Sequence, residues 1–337
     1  MDTTVMLGHG SGGTMMKRII DDVFFAAYAG DELLRGDDAA VLPAPAPGER
    51  LAFSTDSFVV TPHFFPGGDI GRLAVTGTVN DVAMCGAKPL WLSAAFILEE
   101  GFPLRDLEKI VQSMAETARE AGVAVVTGDT KVVEKGHGDG VYIATTGIGE
   151  RLADHMISGS QARPGDRVIV SGSIGDHGMT VMSLREDMTF GTDLKSDCAP
   201  LGKMVECLLA AAPGAHVLRD PTRGGLGTTL NEIAAESGIG ITLHEAQIPV
   251  KDEVRAACEF LGLDPLYSAC EGRLIAIVPE DEAEAALAAV RSDPHGTGAA
   301  IIGEVTAENP GFVEMVTLMG GRRMVDWLTG EQLPRIC

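Results

Sequence analysis

With 337 residues, 45% of them hydrophobic, the chain is long enough for two domains with cores of their own and too apolar to be disordered. Its 26 basic against 48 acidic residues leave a net charge of -22, which argues against nucleic acid as a main ligand, since phosphate-backbone binding needs clustered Lys and Arg. The six cysteines form no CxxC, no apolar run reaches the ~18 residues that span a bilayer, and residues 1–7 lack the features of a secretory signal, so reduced thiols in a cytoplasm are expected.

Along the chain, Gly8-His-Gly-Ser-Gly-Gly13 precedes a helical pattern over 14–28. Glycines let a backbone approach a phosphate closely, and the unpaired N–H groups of a helix start favour an anion, so Gly10, Gly12 and Gly13 are candidate nucleotide contacts. The spacing also fits GxGxxG, but no strand ending in an acidic residue follows, which argues against a dinucleotide fold; Thr14-Met15 after Gly13 argues against a P-loop. Segments 51–60 and 91–98 read as apolar strands. Leu104, Leu107, Val111, Met114 and Ala118, between Pro103 and Gly122, predict an amphipathic helix over 104–121. Further strands are predicted at 123–126, 142–146, 167–170, 273–278 and 300–302, with Gly128-Asp-Thr-Lys131 on a loop leaving the first of them. Arg163-Pro-Gly-Asp166 is a turn signal, and it sets a domain boundary near 152–164. The expected organisation is α+β: a domain over 1–152, a second over 163–329 and a flexible tail over 330–337.

Four acidic clusters carry the chemistry: Gly36-Asp-Asp-Ala-Ala-Val41, Ser54-Thr-Asp-Ser57, Val79-Asn-Asp-Val82 and Arg219-Asp-Pro-Thr-Arg-Gly-Gly225. Hard carboxylate oxygens at the ends of rigid elements suit Mg²⁺, which binds through a few carboxylates together with substrate phosphates. Such an ion also lets an acidic protein hold a polyphosphate. Arg223 ahead of two glycines is a plausible phosphate clamp, Lys131 a phosphate contact or a base, and Glu271 before the strand at 273–278 a candidate general base. The eight histidines show no zinc spacing. The chain ends on Cys337 after Gly330-Glu-Gln-Leu-Pro-Arg-Ile. An arm from Glu331 to Cys337 spans roughly 23–25 Å when extended, enough to carry a sulfur-bound group into a pocket.

These motifs, with Asn80-Asp-Val-Ala-Met-Cys-Gly-Ala-Lys-Pro89, resemble those of the ATP-binding superfamily of aminoimidazole ribonucleotide synthetase and selenophosphate synthetase. The ending Pro334-Arg-Ile-Cys337 resembles the tail of the HypE hydrogenase maturation family. The resemblance implies two α/β-layered domains of the synthetase type, a homodimer, and ATP-dependent dehydration of a carbamoyl group on Cys337 to a thiocyanate, the cyano group serving the iron of a [NiFe]-hydrogenase. It implies the carbamoyltransferase HypF and a HypC–HypD scaffold as partners. Asp38 (the resemblance favours it over Asp37), Asp56, Asp81 and Asp220 would hold Mg²⁺. Asn80, Gly128, Asp129, Thr130, Thr222, Arg223, Gly224 and Gly225 would contact the nucleotide, with Glu271 and Lys131 removing protons. A different ATP-dependent enzyme of the superfamily would keep the acidic motifs without needing the tail thiol. A non-catalytic carrier would need the thiol alone.

Overall fold

A computed structural model describes residues 3–10, 13–34, 39–40, 42–46, 49–186 and 194–328. Gly12, Asp37, Asp38 and Cys337 lie outside them. The first domain is built on strands β1 (Leu51–Phe58), β2 (Ala87–Glu99), β3 (Ala124–Val133) and β4 (Val141–Arg151), in the order β1-β4-β2-β3. Only the β2–β3 pair is parallel. Along β4 buried and half-buried residues alternate from Val141 onward, the period of a sheet covered on one face.

The cover is a helix, α1 (Ile70–Met84), apolar on nearly every side because the sheet and the second domain enclose it. Asp69 starts it by accepting hydrogen bonds from the amides of Gly71 (2.7 Å) and Arg72 (3.0 Å). The helix α2 (Leu104–Ala121) packs on α1 and has the bounds expected from its apolar spacing; Gly122, at φ 73°, ends it in the left-handed region.

Strand β3 runs through Gly128–Lys131, which corrects the expected loop. Its backbone pairs with β2 as far as Glu99 after a bulge at Leu92–Ser93, and a Cβ at Gly128 would collide with the Ala94 carbonyl. Register fixes the faces. The row Asp56–Thr145–Ala94–Gly128 lies on the helix-covered side. The row Phe53–Ile148–Trp91–Ala124 lies on the opposite, open side, which also carries Asp129 and Lys131.

The second domain holds a seven-stranded sheet of β5 (Arg167–Val170), β6 (Val217–Arg219), β7 (Gly240–His244), β8 (Ile275–Val278), β9 (Ala300–Thr306), β10 (Val313–Val316) and β11 (Arg322–Met324). Their order is β11-β10-β7-β9-β5-β8-β6. Helices α3 (Asp176–Arg185), α4 (Gly202–Ala211), α5 (Gly225–Ser237), α6 (Asp252–Leu261) and α7 (Ala283–Ser292) complete the layers.

The extended segment 196–201 crosses to the first domain. Arg72 Nε donates to the Cys198 carbonyl (2.8 Å), the Leu201 amide donates to Asn80 Oδ1 (2.8 Å), and Cys198 sits in the first domain's core with Leu73 and Val75. The carboxylate-bearing ends of both domains are thereby held in one place.

Candidate active site

Four acidic side chains from four separate elements line a single cavity of about 150 Å³: Asp56 from β1, Asp81 from the last turn of α1, Asp220 just after β6, and Glu271 just before β8. Thr222 and Arg223 close its wall. Ser54, one side chain along the covered face of β1 from Asp56, donates to Asp81 Oδ2 (2.7 Å), and the Ser57 amide donates to Asp56 Oδ1 (2.7 Å). Gly77 lets the ring of Phe58 pack against α1; a Cβ there would sit 2.8 Å from two ring carbons.

The electrostatics are those of like charges crowded into one cavity. Burial raises the Asp56 carboxyl, against the Ser57 amide and the Arg223 guanidinium. Burial likewise raises Asp81, with Asp56 adding to the effect and Ser54 and Arg219 opposing it. Asp220 is pushed up to about 7, by burial first and by its neighbour Asp81 second. Glu271 stands far above the carboxylate range through burial and then through Asp220, Asp197, Asp56 and Asp81. Its Oε1 is a buried oxygen with no hydrogen-bond partner. An orphaned oxygen among three more carboxylates is a donor set that fits a hard divalent cation. Among the described residues no three His, Cys, Asp or Glu side chains stand close enough to hold a metal ion on their own.

Gly224 (φ 81°) and Gly225 (φ 60°) turn the chain into α5. A Cβ on Gly225 would lie 2.6 Å from the Leu266 carbonyl and 2.7 Å from that of Ser268, so the backbone of this turn presses directly on the segment that leads to Glu271. The Cys270 amide closes the same contact by donating to the Pro221 carbonyl (3.0 Å).

The other expected nucleotide residues divide. Gly128, Asp129 and Thr130 line a separate, mostly apolar cavity of about 200 Å³ with Phe24, Tyr28 and Phe96. It lies at the β3 edge, whereas Asp56 is at the β1 edge, three inter-strand steps or ~14 Å away. Thr145, in the row between them, donates to the Ala74 carbonyl (2.8 Å), so α1 seals the direct path within one chain. Gly10 packs on the Val132 backbone, with Gly13 beginning the helix Gly13–Ile19. Asn80 does not line the carboxylate cavity. Its carboxamide is taken up by Leu201, Ala199 and, at 3.5 Å, the Glu271 carbonyl, which makes it a strut between the domains. Lys131 is paired with Asp129 (2.6 Å) on the open face and is not brought to Glu271. The hydrogen bond from Lys131 holds the Asp129 carboxyl low.

Residues 36–151 match the family model described as AIR synthase related protein, N-terminal domain, and residues 163–316 match its C-terminal domain. The carbamoyl dehydratase HypE of Azotobacter vinelandii is 59% identical over 334 residues, covering 99% of this chain and 97% of that protein. A crystal structure of hydrogenase maturation protein HypE in complex with ATP overlays with a TM-score of 0.95 at 53% identity, covering 99% of this chain and all of that one. The chain belongs to the HypE carbamoyl dehydratase family. A chain in the crystal structure of a HypE–HypF complex is 50% identical, with a TM-score of 0.81 and coverage of 92% and 99%.

For a HypE-type enzyme, sequence motifs alone leave out three groups that the structure brings to the site. Ser54 and Arg219 stand inside the quoted acidic clusters, yet only folding shows that both act on Asp81. Asp197 accepts from the Glu271 amide (3.2 Å) and belongs to no motif. No helix among the described residues is long and apolar enough to cross a membrane.

Proposed function

We propose that this enzyme uses ATP to convert an S-carbamoyl group on its own Cys337 into a thiocyanate, the source of a cyanide ligand for a [NiFe]-hydrogenase iron. The cavity that joins Asp56, Asp81 and Asp220 to the unpartnered Glu271 oxygen carries this reading. In the first step the carbamoyl oxygen attacks the γ-phosphorus, forming a C–O–P linkage as ADP departs and one N–H proton is lost. Loss of the second N–H proton then closes the C≡N bond while the C–O bond breaks and phosphate leaves.

Asp56, Asp81 and Asp220, with Asp38, would hold Mg²⁺, which when bound neutralises phosphate charge. Arg223 and the amides at the start of α5 would orient the terminal phosphates. Glu271 would accept a carbamoyl N–H proton; a cation on Asp56, Asp81 and Asp220 would remove like charges that raise its carboxyl and so free the carboxylate to act as a base. The cavity is small enough to hold the reacting groups and little water, which protects a phosphorylated carbamate from hydrolysis.

The separation of the two cavities supports a homodimer. With α1 sealing the direct path, Gly128, Asp129 and Thr130 would serve the nucleotide bound at a second copy, and Lys131 would work in proton removal from the same interface. HypF, named in the relative's complex, would load the carbamoyl group, and a HypC–HypD scaffold would receive the cyano group.

The test is mass spectrometry of the carbamoylated protein given Mg-ATP. The C-terminal peptide should lose one water per carbamoyl group, while Cys337→Ala binds ATP yet forms no thiocyanate. Turnover of a small substrate by Cys337→Ala would favour another enzyme of the superfamily.

A further inference from the structure

The last described residues leave the second domain beside the catalytic loop, and three contacts hold them there. Arg323 on β11 pairs with Asp264 (2.8 Å). Asn231 of α5, itself buried, donates to the Val325 carbonyl (2.8 Å) while also donating to Gly227 in its own helix (2.8 Å). The Tyr267 hydroxyl donates to the Asp326 carbonyl (2.6 Å). Tyr267 stands with its ring edge on Gly227, where a Cβ would come within 2.7 Å of the ring, so the close approach of the tyrosine needs glycine at this helix position.

The loop that bears Tyr267 is the same one that carries Glu271 four residues later. It is bolted to the phosphate loop by the Cys270–Pro221 hydrogen bond and by the close approach of Gly225 to Leu266 and Ser268. The origin of the tail, the phosphate loop and the proposed base therefore belong to one packed unit. From Thr329 to Cys337 there are nine residues, a reach of roughly 30 Å when extended. For an arm of that length, the point of attachment sets how often its end meets a given cavity.

We infer that Tyr267 is a positioning residue for the tail-borne thiol: its bond to the Asp326 carbonyl fixes where the arm begins, and so delivers the Cys337 carbamoyl group to the Glu271 cavity of the same chain. The inference rests on the dehydratase reading given above. Tyr267 touches neither nucleotide nor carbamoyl group in this scheme. Its effect is on the effective concentration of a substrate that is part of the protein.

The experiment compares Tyr267→Phe with the unmodified chain in two formats. In the first, the intact carbamoylated protein dehydrates its own tail in a single turnover. In the second, a peptide of sequence 329–337 with a carbamoylated cysteine is offered to Cys337→Ala, with and without Tyr267→Phe. We expect the intact-chain rate to fall about tenfold, the weight of one hydrogen bond, with the peptide rate unchanged. An unaltered intact-chain rate overturns the inference. So does an equal fall in both formats, because Tyr267 would then be serving the cavity itself. Amide exchange across 325–328 gives a readout independent of turnover. It should speed up in Tyr267→Phe with the rest of the domain unchanged, and no change there overturns the anchor. Absence of thiocyanate from every protein, the unsubstituted one included, alongside faster exchange in Tyr267→Phe, would remove the dehydratase reading and leave the anchor standing.

Discussion

Glu271 is a buried carboxylate with one oxygen unpaired, held by its backbone to Asp197 and by Asn80 across the domain boundary. Glutamine matches its shape and cannot take a proton. Glu271→Gln should bind Mg-ATP and accept the carbamoyl group, yet form thiocyanate at least ~10²-fold more slowly in single-turnover mass spectrometry. Undiminished dehydration would remove Glu271 from the catalytic set.

Asp220 gives a pH signature of its own. Its folded value of about 7 lies above the ordinary carboxylate value, so between roughly pH 4 and 7 the folded chain binds more protons than the unfolded chain. Stability of the metal-free protein should therefore decline as pH rises through that window, Asp56 and Asp81 acting in the same direction. Thermal melts in chelator would show this slope, and Asp220→Asn would flatten it. The stabilisation given by Mg-ATP should be larger above pH 7 than below it.

At the scale of elements, the turn into α5 couples the two loops of the site. Gly225→Ala places a Cβ against the Leu266 and Ser268 carbonyls at a left-handed φ, so a loss of about 1–3 kcal/mol in stability is expected. Weaker ATP binding by calorimetry should accompany it. Two elements are legible in the sequence for different reasons: α2 through the 3.6-residue apolar stripe of its one buried face, and β5, buried on both faces, as a short β-branched run whose predicted bounds 167–170 are those observed.

The helix α1 escaped because it is enclosed on all sides and so has no polar face to give a period. Strand β3 was cut short because Gly128 and the Asp129–Lys131 pair read as a loop; the glycine is there for a close approach to the Ala94 carbonyl. For the site, local motifs named the carboxylates, but their meeting in one cavity is tertiary. The diversion of Asn80 to main-chain partners of the second domain, and the opposite faces of Lys131 and Asp56, depend on packing and strand register that no motif encodes.

At the scale of the molecule, the open face of the first sheet presents apolar side chains to solvent. Phe53 is 70% exposed there, beside Ile148 and Trp91 in one cross-strand row. An apolar row of this kind on a sheet calls for cover. Sedimentation should report a dimer at micromolar concentration, and Phe53→Asp should yield a folded monomer by the same measurement and by circular dichroism. A monomeric unsubstituted protein would defeat the proposal that nucleotide contacts come from two copies.

The strap at 196–201 has a bearing on how such a protein can be encoded. Arg72 to Cys198, Asn80 to Leu201, and the burial of Cys198 and Ala269 among the first domain's apolar residues all join the halves without using the peptide between residues 152 and 163. The connecting peptide adds to the same seam, with Ile157 buried beside Ala83 and Met84 and the Leu152 amide donating to the Gly86 carbonyl. A gene divided at exposed Ser160 would keep all of these contacts, so its two products should co-purify and the acidic cavity should re-form between separate polypeptides.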